Sequence, residues 1–249
     1  MSASVPLIRT AGLSAGYAAA DPAIVDVAFA VEPGRIVAVL GPNGGGKTTL
    51  FRALLGEAPH REGTVEVEGS IAYVPQTERA RLDFPVSALD VVLMGTYADV
   101  GPFRRIGRRQ REAASTALAR VGLADRGSTR FGELSGGQRQ RVLIARALAQ
   151  GSRVMLLDEP LSGVDRPAGL QILRILGELR DEGHVVLVST HDIEQAQSFD
   201  LVLCLNRSQI AYGPPATALT ADVLQETYGG ELIVLPDGKQ AVVVQHHHH

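Results

Sequence analysis

A glycine-rich segment that ends in lysine and threonine is the strongest chemical signal in the chain. It comprises Gly41, Pro42, Asn43, Gly44, Gly45, Gly46, Lys47 and Thr48, and it matches the pattern G-x-x-x-x-G-K-[ST]. Small residues allow successive backbone N–H groups to converge on phosphate oxygens. Lys47 can then reach the outer phosphates, and the Thr48 hydroxyl can ligate Mg²⁺. The segment therefore predicts a nucleotide site, with a merely glycine-rich turn as the alternative.

Two adjacent acids follow a second apolar run. Asp158 and Glu159 come directly after the apolar residues 154–157. An acid at the carboxyl end of a strand beside a phosphate loop can hold Mg²⁺ through water. The neighbouring carboxylate is then free to orient or deprotonate the attacking water. We therefore assign the metal to Asp158 and the water to Glu159.

His191 and Gln76 each follow a strand-like segment, at residues 185–190 and 71–75 respectively. At the carboxyl edge of a core strand a histidine can reach a γ-phosphate, although a lone histidine is more often a hydrogen-bonded structural residue. The uncharged amide of Gln76 could contact Mg²⁺ or water. By itself that glutamine would indicate nothing.

Alternating strands and helices must position these residues. Strands are predicted at residues 5–14, 24–31, 34–40, 65–67, 71–74, 154–157, 185–188 and 201–205, and helices at 47–55, 86–94, 110–121, 138–148, 170–179 and 193–198. Leu170, Leu173, Leu176 and Leu179, widened by Ile172 and Ile175, predict a broad buried helix face. The LPDG sequence at residues 235–238 predicts a final hairpin. Buried strands separated by helices indicate a parallel sheet covered on both faces, and thus an α/β protein.

Composition narrows the class of protein further. The chain has 249 residues, 45% of them hydrophobic, and a formal charge of −3. These values suit a globular protein and argue against a general nucleic-acid binder. The uninterrupted apolar runs at 36–40 and 201–205 are far shorter than the roughly 20 residues of a spanning helix. The lone Cys204 suits a small core residue in a reducing compartment, so a cytoplasmic protein is expected. Residues 246–249, all histidine, are a purification tag.

A third motif, Leu134-Ser135-Gly136-Gly137-Gln138, defines the class of phosphate-binding protein. It suits a helix start, where Ser135 can cap and the glycines expose N–H groups to an anion. Together with the phosphate loop, the acid pair and His191, in this order, it resembles the nucleotide-binding subunit of ATP-binding cassette (ABC) transporters. The resemblance covers roughly residues 5–228.

The resemblance implies an architecture. It implies an α/β phosphate-loop NTPase core with a mostly parallel sheet and flanking helices, joined by an antiparallel β subdomain and a helical insertion. The core would comprise about residues 1–84 and 150–245 and the helical subdomain about 85–149, within a single domain over 1–245. Gly45 stands where relatives usually have alanine or serine. This departure removes no ligand, so nucleotide binding is expected to survive.

The resemblance also implies roles for individual residues. Tyr17 would stack on adenine, unless it is an ordinary surface tyrosine, and Gln76 would link the nucleotide to the membrane partner. Lys47, Gln76, Glu159 and His191 would be catalytic, while Thr48, Gln76 and Asp158 would hold Mg²⁺. The other ATP contacts would come from the phosphate loop with the following Thr49, from Asp165, which crosses the dimer interface, and from Ser135, Gly136, Gly137 and Gln138.

The resemblance finally implies partners and a cargo. Two copies, or one copy and a similar subunit, would pair head to tail and drive a multispanning permease, with a substrate-binding protein acting indirectly and no nucleic acid involved. Residues 73–78, 83–87, 90–95 and 226–229 are similar to the manganese/zinc/iron importer subfamily. The alternatives to such an importer are an ABC ATPase for another cargo, an exporter, and a ribosome- or DNA-associated ATPase. The protein would lie on the cytoplasmic face of the cell membrane.

Overall fold

The computed structural model describes residues 5–76, 85–97, 106–229, 232–234 and 241–243. The strands are β1 (Ile8–Gly16), β2 (Ile24–Val31), β3 (Arg35–Leu40), β4 (His60–Val67), β5 (Ile71–Val74), β6 (Val154–Asp158), β7 (Val185–Thr190), β8 (Leu201–Asn206), β9 (Ser208–Gly213), β10 (Leu232–Val234) and β11 (Ala241–Val243). The helices are α1 (Lys47–Leu54), α2 (Ala88–Met94), α3 (Arg108–Arg120), α4 (Gly136–Ala149), α5 (Arg166–Asp181), α6 (Ile193–Gln197), α7 (Pro215–Ala218) and α8 (Ala221–Tyr228). None of the helices in these ranges is long and apolar enough to cross a bilayer.

The chain forms two compact units, of which the first comprises residues 1–68 and 187–249. Its sheet runs β4-β1-β2-β9-β8-β3, with β7 beside β3. The first three strands are antiparallel, whereas β3 and β8 are parallel. β3 is buried from Ile36 to Leu40 because both faces of a central parallel strand are covered. The mixture of parallel and antiparallel strands with flanking helices matches the predicted fold class.

The second unit comprises residues 69–186. In it β5 and β6 pair in parallel, with Ile71 opposite Val154, and β6 lies beside the start of β7. Helices α2, α3 and α4 pack on one another in this unit, as the predicted helical insertion requires. Ser87 caps α2, accepting a hydrogen bond from the backbone of Asp90, whose carboxylate accepts one from the backbone of Ser87. The predicted subdomain boundaries at 84/85 and 149/150 stay a prediction.

Strand β9 and the exposure of Leu170 differ from the sequence-based expectations. Strand β9 was not predicted, because its sequence SQIAYG is only partly buried and carries a weak apolar signal. Leu170, predicted on the buried face of α5, is 60% exposed. The buried stripe consists of Ile172, Ile175, Leu176 and Leu179, whose spacing of three and four residues follows one face of a helix. The predicted hairpin is confirmed by antiparallel pairing of β10 with β11, although its turn lies outside the described residues.

Cys204 provides a test of the packing around β8. Its side chain is fully buried, and its sulfur donates a hydrogen bond to the carbonyl of Ala218. Burial raises the pKa of this thiol to about 11, with a hydrogen bond from Thr227 acting in the opposite direction. We expect the native thiol to resist alkylation at pH 8 and to react fully after unfolding in urea, because the reactive thiolate is suppressed.

The same shift sets a pH dependence. Between the ordinary thiol pKa of 9.0 and about 11, the unfolded chain loses a proton that the folded chain keeps. The contribution of the Cys204 thiol to the free energy of unfolding therefore falls as pH rises through that window. In Cys204→Ala the free energy of unfolding should fall less steeply over the same window. Rapid alkylation of the native thiol at pH 8 would show that this side of β8 opens readily.

Candidate functional site

The glycine-rich phosphate loop joins β3 to α1 in the first unit. Gly45 donates its backbone N–H to the carbonyl of Pro42 over 3.1 Å, which closes the turn. Gly46 then begins α1 with a φ of +100°, a left-handed value that favours glycine. The first turn of α1 follows at once, so its N–H groups and positive end face the loop. The local fold therefore has the form of an anion site.

Lys47 is drawn back onto this loop. Its side chain is only 7% exposed. The ammonium donates hydrogen bonds to the carbonyls of Gly41, at 2.6 Å, and Pro42, at 2.9 Å. A buried charge requires such partners, since desolvation without them is strongly unfavourable. The lysine charge is thus held at the loop, as a ligand for an outer phosphate must be.

The turn between β8 and β9 supports the loop from behind, which the sequence did not reveal. Arg207 donates its backbone N–H to the carbonyl of Gly45 over 3.0 Å. A Cβ atom on Gly41 would lie 2.0 Å from the carbonyl oxygen of Leu205, so only glycine fits there. Arg207 also donates to the carboxylate of Asp21 at 2.7 Å. The loop is therefore held by backbone contacts that any sequence pattern would miss.

Gly46 supplies a steric test of the loop. A Cβ atom there would lie 2.3 Å from Cγ2 of Ile24, in addition to the left-handed φ. We expect Gly46→Ala to lower the free energy of unfolding by about 2–5 kcal/mol, since backbone strain and overpacking add. Urea unfolding followed by circular dichroism measures this change.

Gly44→Ala is the matched control for that substitution. Gly44 also has a positive φ, of +78°, but nothing lies within 4 Å of its Cβ position. Gly44→Ala should therefore lower the free energy of unfolding only through backbone strain, by about 1–2 kcal/mol. Equal losses in the two variants would contradict the close packing of Gly46 against Ile24.

Tyr17 and His191, also in the first unit, have different surroundings. Tyr17 directly follows β1 and is 64% exposed, which leaves its ring accessible. Its hydroxyl accepts a hydrogen bond from the guanidinium of Arg52. His191 follows β7 and is half-buried, immediately before Asp192, whose carboxylate caps α6. The predicted roles of Tyr17 and His191 stay predictions.

The second unit carries the acid pair at the end of β6. Asp158 is 5% exposed and accepts a hydrogen bond from the Tyr73 hydroxyl over 3.3 Å. Glu159 has a φ of 46°, and its carboxylate accepts a hydrogen bond from the Gln76 amide over 3.4 Å. A left-handed backbone at a non-glycine residue is unfavourable by about 1–3 kcal/mol and is concentrated at functional sites. The structure thus brings Gln76 to Glu159, as a shared role requires, and adds Tyr73, which lay unnoticed within a strand.

The Ser135–Gln138 motif forms the predicted helix start. Ser135 Oγ accepts a hydrogen bond from the Gln138 backbone at 3.3 Å, and the Gln138 side chain accepts one from the Ser135 backbone at 2.9 Å. This reciprocal capping box fixes the first turn of α4. A Cβ atom on Gly137 would lie 2.5 Å from the Cβ of Ala168, so the second glycine allows α4 to approach α5. The sequence indicated an exposed N–H group at that glycine but not this packing contact.

Asp165 lies where the same two helices meet. Its carboxylate caps α5 by accepting a hydrogen bond from the Ala168 backbone at 2.8 Å. Burial lowers the pKa of the neighbouring Arg141, and the negative charge of Asp165 acts in the opposite direction. The guanidinium of Arg141 also donates to the carbonyl of Val121 at 2.9 Å. Within the chain, Asp165 therefore has a structural role; its predicted role at a dimer interface stays a prediction.

The donors available to Mg²⁺ fit that ion. Thr48 offers a hydroxyl on the first turn of α1, and Asp158 offers a carboxylate that is almost fully buried. Mg²⁺ is a hard cation that prefers oxygen ligands and usually binds one or two carboxylates, with phosphate and water oxygens completing its shell. Gln76 can add an amide oxygen. Each of these groups is therefore an oxygen donor of the kind that Mg²⁺ binds.

Comparisons with known proteins define the class. A family model described as ABC transporter matches residues 24–162. The manganese transport system ATP-binding protein MntB of Bacillus subtilis is 40% identical over 225 residues, covering 87% of this chain and 90% of that protein. The chelated iron transport system membrane protein YfeB of Yersinia pestis is 42% identical over 221 residues, covering 84% and 75%. An ABC transporter solved in an inward-facing conformation superposes with a TM-score of 0.82 at 33% identity, covering 90% of this chain and 89% of that one.

This chain belongs to the ABC transporter family. Within that family it is an ATP-hydrolysing subunit, as the match of both the family model and the ATP-binding relatives requires. The family and fold class expected from the sequence are thereby confirmed. The roles of the individual site residues stay predictions.

Proposed function

We propose that this protein is the energy-coupling ATPase of an importer for a divalent metal cation: manganese, zinc or iron. The ATPase part is supported by the charged residues at two strand ends, one in each unit. Lys47 is held over the loop after β3, and the buried Asp158 and the adjacent Glu159 end β6. Lys47, after β3, can bind phosphate oxygens. Asp158 and Glu159, at the end of β6, can bind a cation and orient a water. Phosphoryl transfer to water requires both functions.

The residues then divide the chemistry of ATP hydrolysis. The backbone N–H groups of the phosphate loop, with Thr49, and the ammonium of Lys47 bind the β- and γ-phosphates. Thr48, Asp158 and Gln76 would hold Mg²⁺, which would neutralise charge on the phosphate oxygens. Glu159 accepts the proton of the attacking water, while Gln76, 3.4 Å from its carboxylate, orients it. His191 donates a hydrogen bond to the γ-phosphate, and Tyr17 stacks on the adenine.

A second copy, or a similar subunit, completes each site. In this arrangement Ser135, Gly136, Gly137 and Gln138 of one copy face the phosphates bound by the loop of the other, and Asp165 contributes at the same interface. The start of a helix suits this role because its N–H groups and positive end attract phosphate. Closure around ATP and reopening after hydrolysis drive a multispanning permease between two conformations.

The metal cargo is supported by the relatives. Those named above are parts of manganese and chelated iron transport systems, and they match at 40% and 42% identity. The cargo is bound by the permease and by a substrate-binding protein, so this subunit acts on the cytoplasmic side of the membrane without touching the metal. No nucleic acid takes part.

Transport by the assembled complex tests this proposal. The chain is co-expressed with its permease, purified and reconstituted into vesicles with Mg·ATP on the side of this subunit. We expect ATP-dependent movement of Mn²⁺, Zn²⁺ or Fe²⁺, one of them preferred, from the substrate-binding-protein side. Transport of another solute, outward transport, or co-purification with ribosomes or DNA would each replace the importer with one of the alternatives.

A further inference from the structure

The last turn of α1 contacts the aromatic residue that precedes β2. The guanidinium carbon of Arg52 lies 5.6 Å from the centre of the Tyr17 ring, within the range of a cation–π interaction. The same guanidinium donates a hydrogen bond to the Tyr17 hydroxyl. Two contacts from one side chain restrict both the position and the tilt of a ring that is otherwise 64% exposed. An exposed ring without them would sample several rotamers.

Helix geometry connects this contact to the phosphate loop. Arg52 follows Thr48 by four residues in α1, so the two side chains lie on the same helix face, about 6 Å apart along the axis. Thr48 and Arg52 are both half-buried. Four residues between and beside them are buried, namely Lys47, Leu50, Phe51 and Leu54. The face of α1 that begins at Thr48, the proposed Mg²⁺ ligand, therefore ends at Arg52, which contacts the aromatic ring.

We propose that Arg52 is a positioning residue for the nucleobase: it fixes the Tyr17 ring so that one face is presented to adenine at a set distance from the phosphate loop. The inference rests on the proposed function, because it concerns the base of the same ATP. Stacking on a ring that is already ordered avoids the entropy of ordering it on binding. Arg52 thus raises ATP affinity without contacting ATP.

The test separates the base from the phosphates. Affinities of the full chain for Mg·ATP and for magnesium tripolyphosphate, which has no base, are measured by calorimetry. Because one base–aromatic stack is worth about 1–3 kcal/mol, we expect Arg52→Ala to weaken ATP binding about tenfold. Tripolyphosphate affinity should stay within about twofold of the original, since the phosphate loop is untouched.

Further variants make the outcome specific. Tyr17→Ala should lose at least as much ATP affinity as Arg52→Ala, and the double variant should lose no more than Tyr17→Ala, because both act through one ring. Arg52→Lys keeps a cation at the end of α1 but cannot make both contacts, so its affinity should be intermediate. The chain contains no tryptophan, so Tyr17→Trp places a single fluorescent reporter at the position. Its anisotropy should fall when Arg52 is replaced.

Several results would overturn the inference. Unchanged ATP affinity in Arg52→Ala, an equal loss for tripolyphosphate, or additive losses in the double variant would each exclude a role through Tyr17. If Tyr17→Ala weakens ATP and Arg52→Ala does not, the positioning role fails and the proposed ATP site stands. If the unaltered chain binds neither ligand, the proposed function itself fails.

Discussion

Replacing Glu159 with glutamine is expected to abolish phosphate release while leaving ATP binding intact. The amide has the shape of the carboxylate and can remain beside Gln76, now 3.4 Å away, but it cannot accept a proton from water. General-base catalysis contributes about 10²–10⁴-fold, so turnover should fall by at least that factor. ATP should then stay bound and hold two copies together. Phosphate release and size-exclusion chromatography with Mg·ATP measure the two effects.

Glu66→Gln is the control for the loss of one carboxylate. Glu66 lies on β4 and is exposed, so the same chemical change there should leave phosphate release unaltered. Near-normal turnover by Glu159→Gln would remove the general-base role from this residue. Loss of ATP binding together with turnover would instead indicate that Glu159 acts in binding.

Replacing Lys47 with alanine is expected to weaken ATP binding strongly. The variant loses an ammonium that is 7% exposed and held at the loop by the carbonyls of Gly41 and Pro42. Hydrogen bonds to charged groups contribute about 1.5–3 kcal/mol each, so a loss of about 10- to 100-fold or more is expected. Calorimetry with Mg·ATP measures the affinity directly.

Arg9→Ala controls for the loss of one positive charge. Arg9 lies on β1 with its side chain exposed, so its removal changes the net charge equally without touching the loop. ATP affinity should change by less than about threefold in that variant, since exposed charges are screened by salt. Unchanged affinity in Lys47→Ala would place Lys47 outside the site.

The motifs predicted much of the candidate site because each combines local chemistry with a local element. The phosphate loop, the acid pair and the Ser135–Gln138 segment all lie at strand or helix ends, where sequence pattern and function coincide. The helices that follow the phosphate loop and Ser135, α1 and α4, were predicted within about two residues of their observed bounds. Apolar periodicity is strongest in such amphipathic segments.

The rest depends on contacts between distant parts of the chain. Arg207 reaches the loop from the turn after β8, and Tyr73 reaches Asp158 across neighbouring strands. Arg52 is an ordinary helix residue until Tyr17 is found beside it. Such pairings have no spacing rule, so a single sequence cannot show them. The exposure of Leu170 was missed for a different, local reason. Four leucines spaced by three residues do not stay on one face, because a helix has 3.6 residues per turn.

In the proposed dimer each copy supplies half of every ATP site. Complementation between two inactive variants tests this sharing. Lys47→Ala removes the loop half, and Gly136→Asp adds a negative charge to the signature half. The aspartate should not unfold α4, because an acid favours a helix N-terminus and a Cβ there meets its nearest heavy atom at 3.6 Å.

The two variants, carrying different tags, are co-expressed with the permease and purified as mixed complexes by both tags in turn. In a head-to-tail pair, the intact loop of one copy faces the intact Ser135–Gln138 segment of the other. We expect these mixed complexes to release phosphate from Mg·ATP, although complexes of either variant alone do not. Mixed complexes as inactive as the single variants would contradict a site shared between copies.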